Sequence, residues 1–190
     1  VMQNMPIGTP VTITLEYDVK HSSKQALDYL TQYDRLLPHS FTHGTTQEVV
    51  DPLNGLGLGS PPLATFAIPT PTGVNTPVVG QPTTSFNAIP SSKRLMTIWN
   101  GTISSIVYVS QGDLSLADAA TQLNVTFTPS ASTVVLAWGG HIASRSDWGY
   151  ESAGVPRSAG GISGSPYHMR LISWTLNNLG NTDRSLSTDA

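Results

Sequence analysis

The sequence predicts an all-β protein, an antiparallel β-sandwich of immunoglobulin-like or jelly-roll-like kind, with one short helix and long ordered loops. Three observations lead there. Residues 8–19, GTPVTITLEYDV, alternate apolar and polar side chains, the period of a half-buried strand. Beyond Pro90, five runs rich in β-branched and aromatic residues are separated by turn residues. Only one segment, 22–37, repeats its apolar residues at helical steps.

Taken in order, the first strand places Val11, Ile13, Leu15 and Tyr17 on one side and Thr12, Thr14 and Glu16 on the other. Ala26, Leu27, Leu30, Tyr33 and Leu37 then recur at three- and four-residue steps behind Ser22 and Ser23, which predicts a capped short helix ending before Pro38. Residues 38–90 are dense in proline and glycine, which interrupt ladders and helices. Leu56, Leu58, Leu63, Phe66, Ile68, Val78, Val79 and Phe86 are too apolar for a free linker. The segment is therefore expected to be an ordered excursion covering a sheet edge, with one short strand at 64–68.

Five strands are expected after it, at 95–99, 103–110, 122–128, 133–138 and 167–176. Asn100-Gly101 is a tight-hairpin signal between the first two, and SLADAA at 115–120 would fit one helical turn. Gly139-Gly140 is expected to stop the fourth strand and open a long polar loop that closes at Ser165-Pro166. No internal repeat is visible. The 190 residues suffice for a full core and are read as one domain, 1–190.

Charged residues make up only 11% of the chain, against roughly 25% in ordinary soluble proteins. Solubility therefore rests on Ser, Thr, Asn, Gln and Gly, a habit of secreted β-proteins. The nine Lys and Arg are scattered and the formal net charge is −3, so the electrostatic footprint of a nucleic-acid binder is missing. No apolar run approaches the roughly 20 residues of a membrane-spanning helix. With no cysteine, disulfides, thiolate catalysis and cysteine-ligated metals are excluded.

The runs EYDVKHSSKQALDYLTQYDR, VVLAWGGHIASRSDWG, ISGSPYHMRL and GNTDRSLS resemble a module of large secreted bacterial surface proteins, often placed ahead of immunoglobulin-like repeats. The resemblance covers nearly the whole chain. It implies an extracellular or cell-surface role and supplies no catalytic residues. It also implies a further strand-like segment ahead of the position of Val1 and sequence continuing beyond Ser187. On that reading the chain lacks an edge strand of its own, which a segment of another polypeptide would fill.

The densest collection of reactive groups lies in the 139–166 loop: His141, Arg145, Asp147, Trp148, Tyr150, Glu151 and Arg157, with His168 just beyond. His141, Asp147 and His168 have the chemistry of an acid/base or metal cluster. The plainer reading is a polar network pinning the loop, with Arg145 paired to Asp147 or Glu151. Trp148 and Tyr150 are the candidates for stacking on a sugar, whereas Trp99, Trp138 and Trp174 are expected in or near strand cores. Ser163 and Ser165 beside His168 suggest a nucleophile, but the G-x-S-x-G elbow fails because the motif ends in Ser165. His39 and His43 stand four apart in irregular chain and read as bystanders. Asp18, Asp28, Asp34 and Asp51 are too dispersed for a calcium loop, although an isolated calcium ion is compatible with them.

These readings converge on an extracellular structural or adhesive module, a candidate subunit of a fibre joined by edge-strand complementation, with no cofactor and no enzymatic activity. Its expected partners are other copies of itself or flanking domains of the same polypeptide. A carbohydrate-binding module is the first alternative, with glycans as partner. A hydrolase or metal site at His141, Asp147 and His168 is the second.

Overall fold

The structure, a computed structural model, describes residues 1–34, 42–43, 46–47, 50–163, 167–176 and 183–186. Strand β1 (Val11–His21) realises the alternation, with Val11, Ile13, Leu15 and Tyr17 buried and Thr12, Thr14 and Glu16 half-buried. Ser22 and Ser23, both at positive φ, reverse the chain into β2 (Lys24–Gln25), which pairs with the end of β1. The helix expected at 22–37 is not formed. Its centre is strand β3 (Leu27–Thr31), all five residues of which are buried. A strand covered on both faces is apolar at consecutive positions, so its pattern also satisfies helical spacing. The serines expected to cap a helix turn a hairpin instead, and Leu37 lies outside the described residues.

Next come the paired β4 (Thr42–His43) and β5 (Thr46–Gln47); His39 lies outside the described residues. Strand β6 (Leu63–Ala67) occupies the expected position in the excursion. A short helix, α1 (Thr83–Ala88), follows, burying Phe86. Then come β7 (Leu95–Trp99), β8 (Gly101–Ser110), β9 (Ala119–Pro129) and β10 (Val135–Ala137). After Trp138 the chain continues as β11 (Gly139–Ile142), α2 (Arg145–Trp148), β12 (Tyr150–Ser152) and β13 (Val155–Pro156). It closes with β14 (Tyr167–Trp174) and β15 (Asp183–Leu186).

The fold is all-β and antiparallel, and it packs as a sandwich. The large sheet has the order β15-β14-β1-β9-β8, with β2 folded onto β1. Facing it are β10-β7-β6 and the pair β11-β3. Val11, Ile13, Leu15, Leu123, Val125 and Phe127 of the large sheet share one apolar cluster with Leu27, Leu30, Met96, Ile98 and Leu136. Burial of such side chains is the main stabilising term, about 1.5–3 kcal/mol for each large aliphatic or aromatic one.

Across β1 and β9 the opposite face of the large sheet is polar and hydrogen-bonded in register. Thr12 meets Thr126 at 2.8 Å, Thr14 donates to Asn124 Oδ1 at 2.8 Å, and Gln122 donates to Glu16 at 2.8 Å. Arg170 reaches Glu16 at 2.8 Å and Asp18 at 2.9 Å. With each carboxylate answered across the strands, the face satisfies its polar groups internally.

Asn100-Gly101 does not form a hairpin. Strands β7 and β8 belong to different sheets, and Asn100, at φ 58°, turns a corner between the layers. Its amide donates to the Thr133 carbonyl at 3.0 Å and so fixes the corner. Gly139-Gly140 likewise does not end the strand structure, because both glycines pair in β11 with Thr31 and Leu30. A side chain at Gly139 would meet Gln32 O and Thr31 Oγ1 at 2.9 Å, so the close pairing of β3 and β11 requires glycine there. The SLADAA segment makes bends rather than a helical turn before β9 begins at Ala119.

The excursion does lie along the end of β8. Tyr108 donates to the Pro69 carbonyl, Thr72 exchanges hydrogen bonds with Gln111 at 2.6 and 2.7 Å, and Val74 bridges Asp113. Just past the end of β8, the Leu114 N–H donates to the Val74 carbonyl at 2.9 Å, so the excursion pairs with the chain that leaves the strand.

Candidate functional site

Strand β3 carries one acidic residue into the interior. Asp28 is 4% exposed between Leu27 and Tyr29. An isolated carboxylate there would be strongly unfavourable, and the neighbouring elements answer it. Strand β11 pairs with β3 so that His141 faces Tyr29 in register, and His141 Nδ1 lies 2.9 Å from Asp28 Oδ2. From α2, the indole of Trp148 donates to Asp28 Oδ1 at 2.7 Å. With Asp28 ionised, both oxygens are acceptors, so Nδ1 is the nitrogen that carries the donated proton.

The rings around the carboxylate are held in turn. Tyr29 stacks on His141 with centroids 4.6 Å apart and meets Phe86 edge-on at 5.2 Å. Helix α2 is capped by Ser144, whose hydroxyl accepts the Asp147 N–H at 3.2 Å and donates to Asp147 Oδ2 at 2.7 Å. That cap fixes the turn that presents Trp148. Burial pushes the Asp28 carboxyl above its ordinary pKa, and the hydrogen bonds from His141 and Trp148 oppose the rise. Potential ligand atoms of Asp28, His141 and Asp147 all lie within 4.8 Å of one another.

No protein-family model, curated protein or solved structure matches this chain. The reading of the site therefore rests on its chemistry.

The residues expected to act together are divided. His141 and Asp147 do meet, but the third member of their group is Asp28 and not His168. His168 sits on β14 of the large sheet, where its backbone N–H donates to Asp18 Oδ2 at 2.8 Å. It shares a shallow concavity with Lys20, His21, Asp118 and Arg170. Trp148 is 2% exposed and is a core residue, so it cannot stack on a sugar. Tyr150 is 49% exposed on β12, and its carbonyl accepts from Arg157. Arg145 is exposed on α2; Glu151 pairs instead with Lys24 at 2.9 Å. Trp99 is buried, while Trp138 and Trp174 are partly buried against the core. Ser163 is exposed and Ser165 lies outside the described residues.

Asp28 was among the dispersed acids of the sequence. The signal that marks it is a carboxylate inside the otherwise apolar run ALDYL, since such a group needs buried partners. Among the described residues, Asp28 is the ring's hydrogen-bond partner, and no hydroxyl stands at the other nitrogen as a nucleophile.

A second feature lies between the layers. A groove of about 310 Å³ is lined by Met2, Ile13, Leu15, Leu136, Trp138 and Leu171, among others. Trp138 crosses it, its indole N–H donating to Met169 Sδ at 2.9 Å. Strand β10 is the edge of its sheet. Met2 and Val134 exchange both backbone hydrogen bonds, at 2.8 and 2.9 Å, just before β10 begins. Backbone groups of alternate residues point to opposite sides of a strand, so Leu136 turns its N–H and C=O to the Met2 side. No described strand pairs with it there.

Proposed function

We propose that this chain is an extracellular structural module that joins its neighbours by strand addition. An extended apolar segment of an adjoining polypeptide, supplied by another copy or by a flanking domain, lies against β10 and fills the groove between β10 and β14. The observation that carries this reading is the outward-facing backbone of Leu136 beside an apolar groove, on an edge where Met2 and Val134 already pair. Main-chain hydrogen bonds would supply affinity and the groove would select alternate apolar side chains. Low overall charge assists close contact, because few ions need desolvation. The ordered, hydrogen-bonded outer face of the large sheet suits a scaffold.

The test combines hydrogen exchange at the Leu136 amide with light scattering over a range of protein concentrations. Protection that grows as the particle mass rises supports pairing between copies. Protection at constant mass, seen only when flanking sequence is attached, supports pairing within one polypeptide. A monomer whose Leu136 amide exchanges freely in both settings removes the proposal. Leu171→Glu, on the half-buried wall of the groove, is expected to abolish the protection while leaving the β-sheet circular dichroism intact.

A further inference from the structure

We propose that Asp28, His141 and Asp147 form a binding site for a zinc-class divalent cation. The three ligand atoms lie within 4.8 Å of one another. In a tetrahedral zinc site, bond lengths of about 2.0–2.2 Å place ligands about 3.3–3.6 Å apart. His141 Nδ1 and Asp28 Oδ2, at 2.9 Å, stand within a few tenths of an ångström of one edge of such a polyhedron. Asp147 sits on the half-exposed turn of α2, and its carboxylate, now accepting from the Ser144 hydroxyl at 2.7 Å, would turn toward the pair to complete the set.

The charge of the group points the same way. Two carboxylates converge here, and no Lys or Arg among the described residues forms an ion pair with either. A divalent ion would neutralise both. The surroundings of Asp28 also hold more polar capacity than the protein uses. Gln25, 2% exposed, lines a small cavity with Asp28 and Trp148, and its Oε1 has no hydrogen-bond partner among the described residues. That oxygen can accept from a water in the cavity.

Ligand type selects the metal. A ring nitrogen beside two carboxylates suits zinc and its first-row neighbours, whereas calcium and magnesium prefer oxygen throughout. Binding requires that Nδ1 give up its proton. The ring then carries its proton on Nε2, which has no hydrogen-bond partner among the described residues, and Nδ1 presents its lone pair to the ion. Trp148 continues to donate to Asp28 Oδ1 and orients the carboxylate from behind. Three protein ligands leave a fourth position for water.

The experiment is zinc titration by calorimetry, with melting followed in zinc and in chelator. Wild-type protein is expected to bind one zinc per chain more tightly than about 100 μM and to melt higher with zinc than with chelator. Asp147→Asn and His141→Gln are each expected to weaken binding at least about tenfold. Asp147→Asn is the decisive variant, because Asn keeps the α2 turn and the melting point in chelator reports whether the fold is retained. No zinc binding in this concentration range overturns the proposal. So does binding that both variants leave unchanged, which would place the ion at other histidines.

Discussion

Trp148 donates its indole N–H to Asp28 Oδ1 at 2.7 Å, joining positions 120 residues apart. The contact ties α2 to β3 through a buried charge, and His141 ties β11 to the same carboxylate. Three elements thus share one acceptor group. Breaking such a network strands a charge in the core, which is why its members are not interchangeable with ordinary core residues.

Trp148→Phe keeps an aromatic ring but removes the donor to Oδ1. It is expected to destabilise the fold by about 1.5–3 kcal/mol, the range for a hydrogen bond to a charged group. Urea unfolding checks this. A loss under about 0.5 kcal/mol, typical of surface positions, would mean that water replaces the indole.

The pH dependence of stability follows from Asp28. Burial lifts its carboxyl above the usual value, against the hydrogen bonds from His141 and Trp148. The folded chain therefore holds this proton more tightly than the unfolded one. The resulting stabilisation is complete below the unfolded pKa and is lost as pH rises through the higher folded one. In Asp28→Asn that dependence disappears, so the wild-type advantage over the variant is expected to shrink as pH rises through the acid range. Urea unfolding of both proteins between about pH 3 and 6 measures it, and a constant difference would contradict a raised Asp28.

At the alkaline end, burial pushes Tyr108 up to about 12 and holds Tyr17 well above its ordinary value. Ultraviolet titration is expected to show phenolate appearing first from the more exposed tyrosines, with Tyr17 and Tyr108 absent from that step. Stability from Tyr108 is present below the unfolded value near 10 and lost as pH climbs through the folded one. Tyr108→Phe should remove that part of the alkaline loss. If all six tyrosines titrate together while the fold persists, the burial of these two is wrong.

Gly139→Ala and Gly140→Ala separate backbone from side-chain crowding. At Gly139 the new methyl meets the Gln32 carbonyl, a backbone group just past β3, and Thr31 Oγ1 at 2.9 Å; the backbone carbonyl cannot withdraw without shifting the strand pair. A loss of about 1–3 kcal/mol is expected. At Gly140 the neighbours are Leu27 Cδ2 and Met169 Cε at 3.2 Å, the mobile ends of side chains, so the loss should be clearly smaller. Equal losses would argue against the close β3–β11 pairing.

Much of the strand pattern was legible. Strands β1, β6, β8 and β9 lie near where alternation and turn residues place them, because a sheet face with core on one side and water on the other writes a period of two into the chain; β7, buried at four consecutive positions, was marked by its β-branched and aromatic content and flanking turn residues. Residues 22–37 misled for the complementary reason. Strand β3 is enclosed on both sides, so Leu27, Tyr29 and Leu30 are apolar without alternation, and period carries no information there. The site was half legible: His141, Asp147 and Trp148 stood out as polar or aromatic groups in a glycine-flanked segment, while Asp28 was hidden among scattered acids.

The residues by themselves determined the all-β class and most strand positions, since side-chain period is a local property of the chain. With no cysteine in the sequence, they also excluded cysteine chemistry. Tertiary structure alone decided that Asn100 turns a corner between sheets, that Trp148 faces inward, and that His141 meets Asp28 across 113 residues while His168 goes elsewhere. Each of these depends on which strands become neighbours. That choice comes from burying one shared core, and no short window of sequence records it.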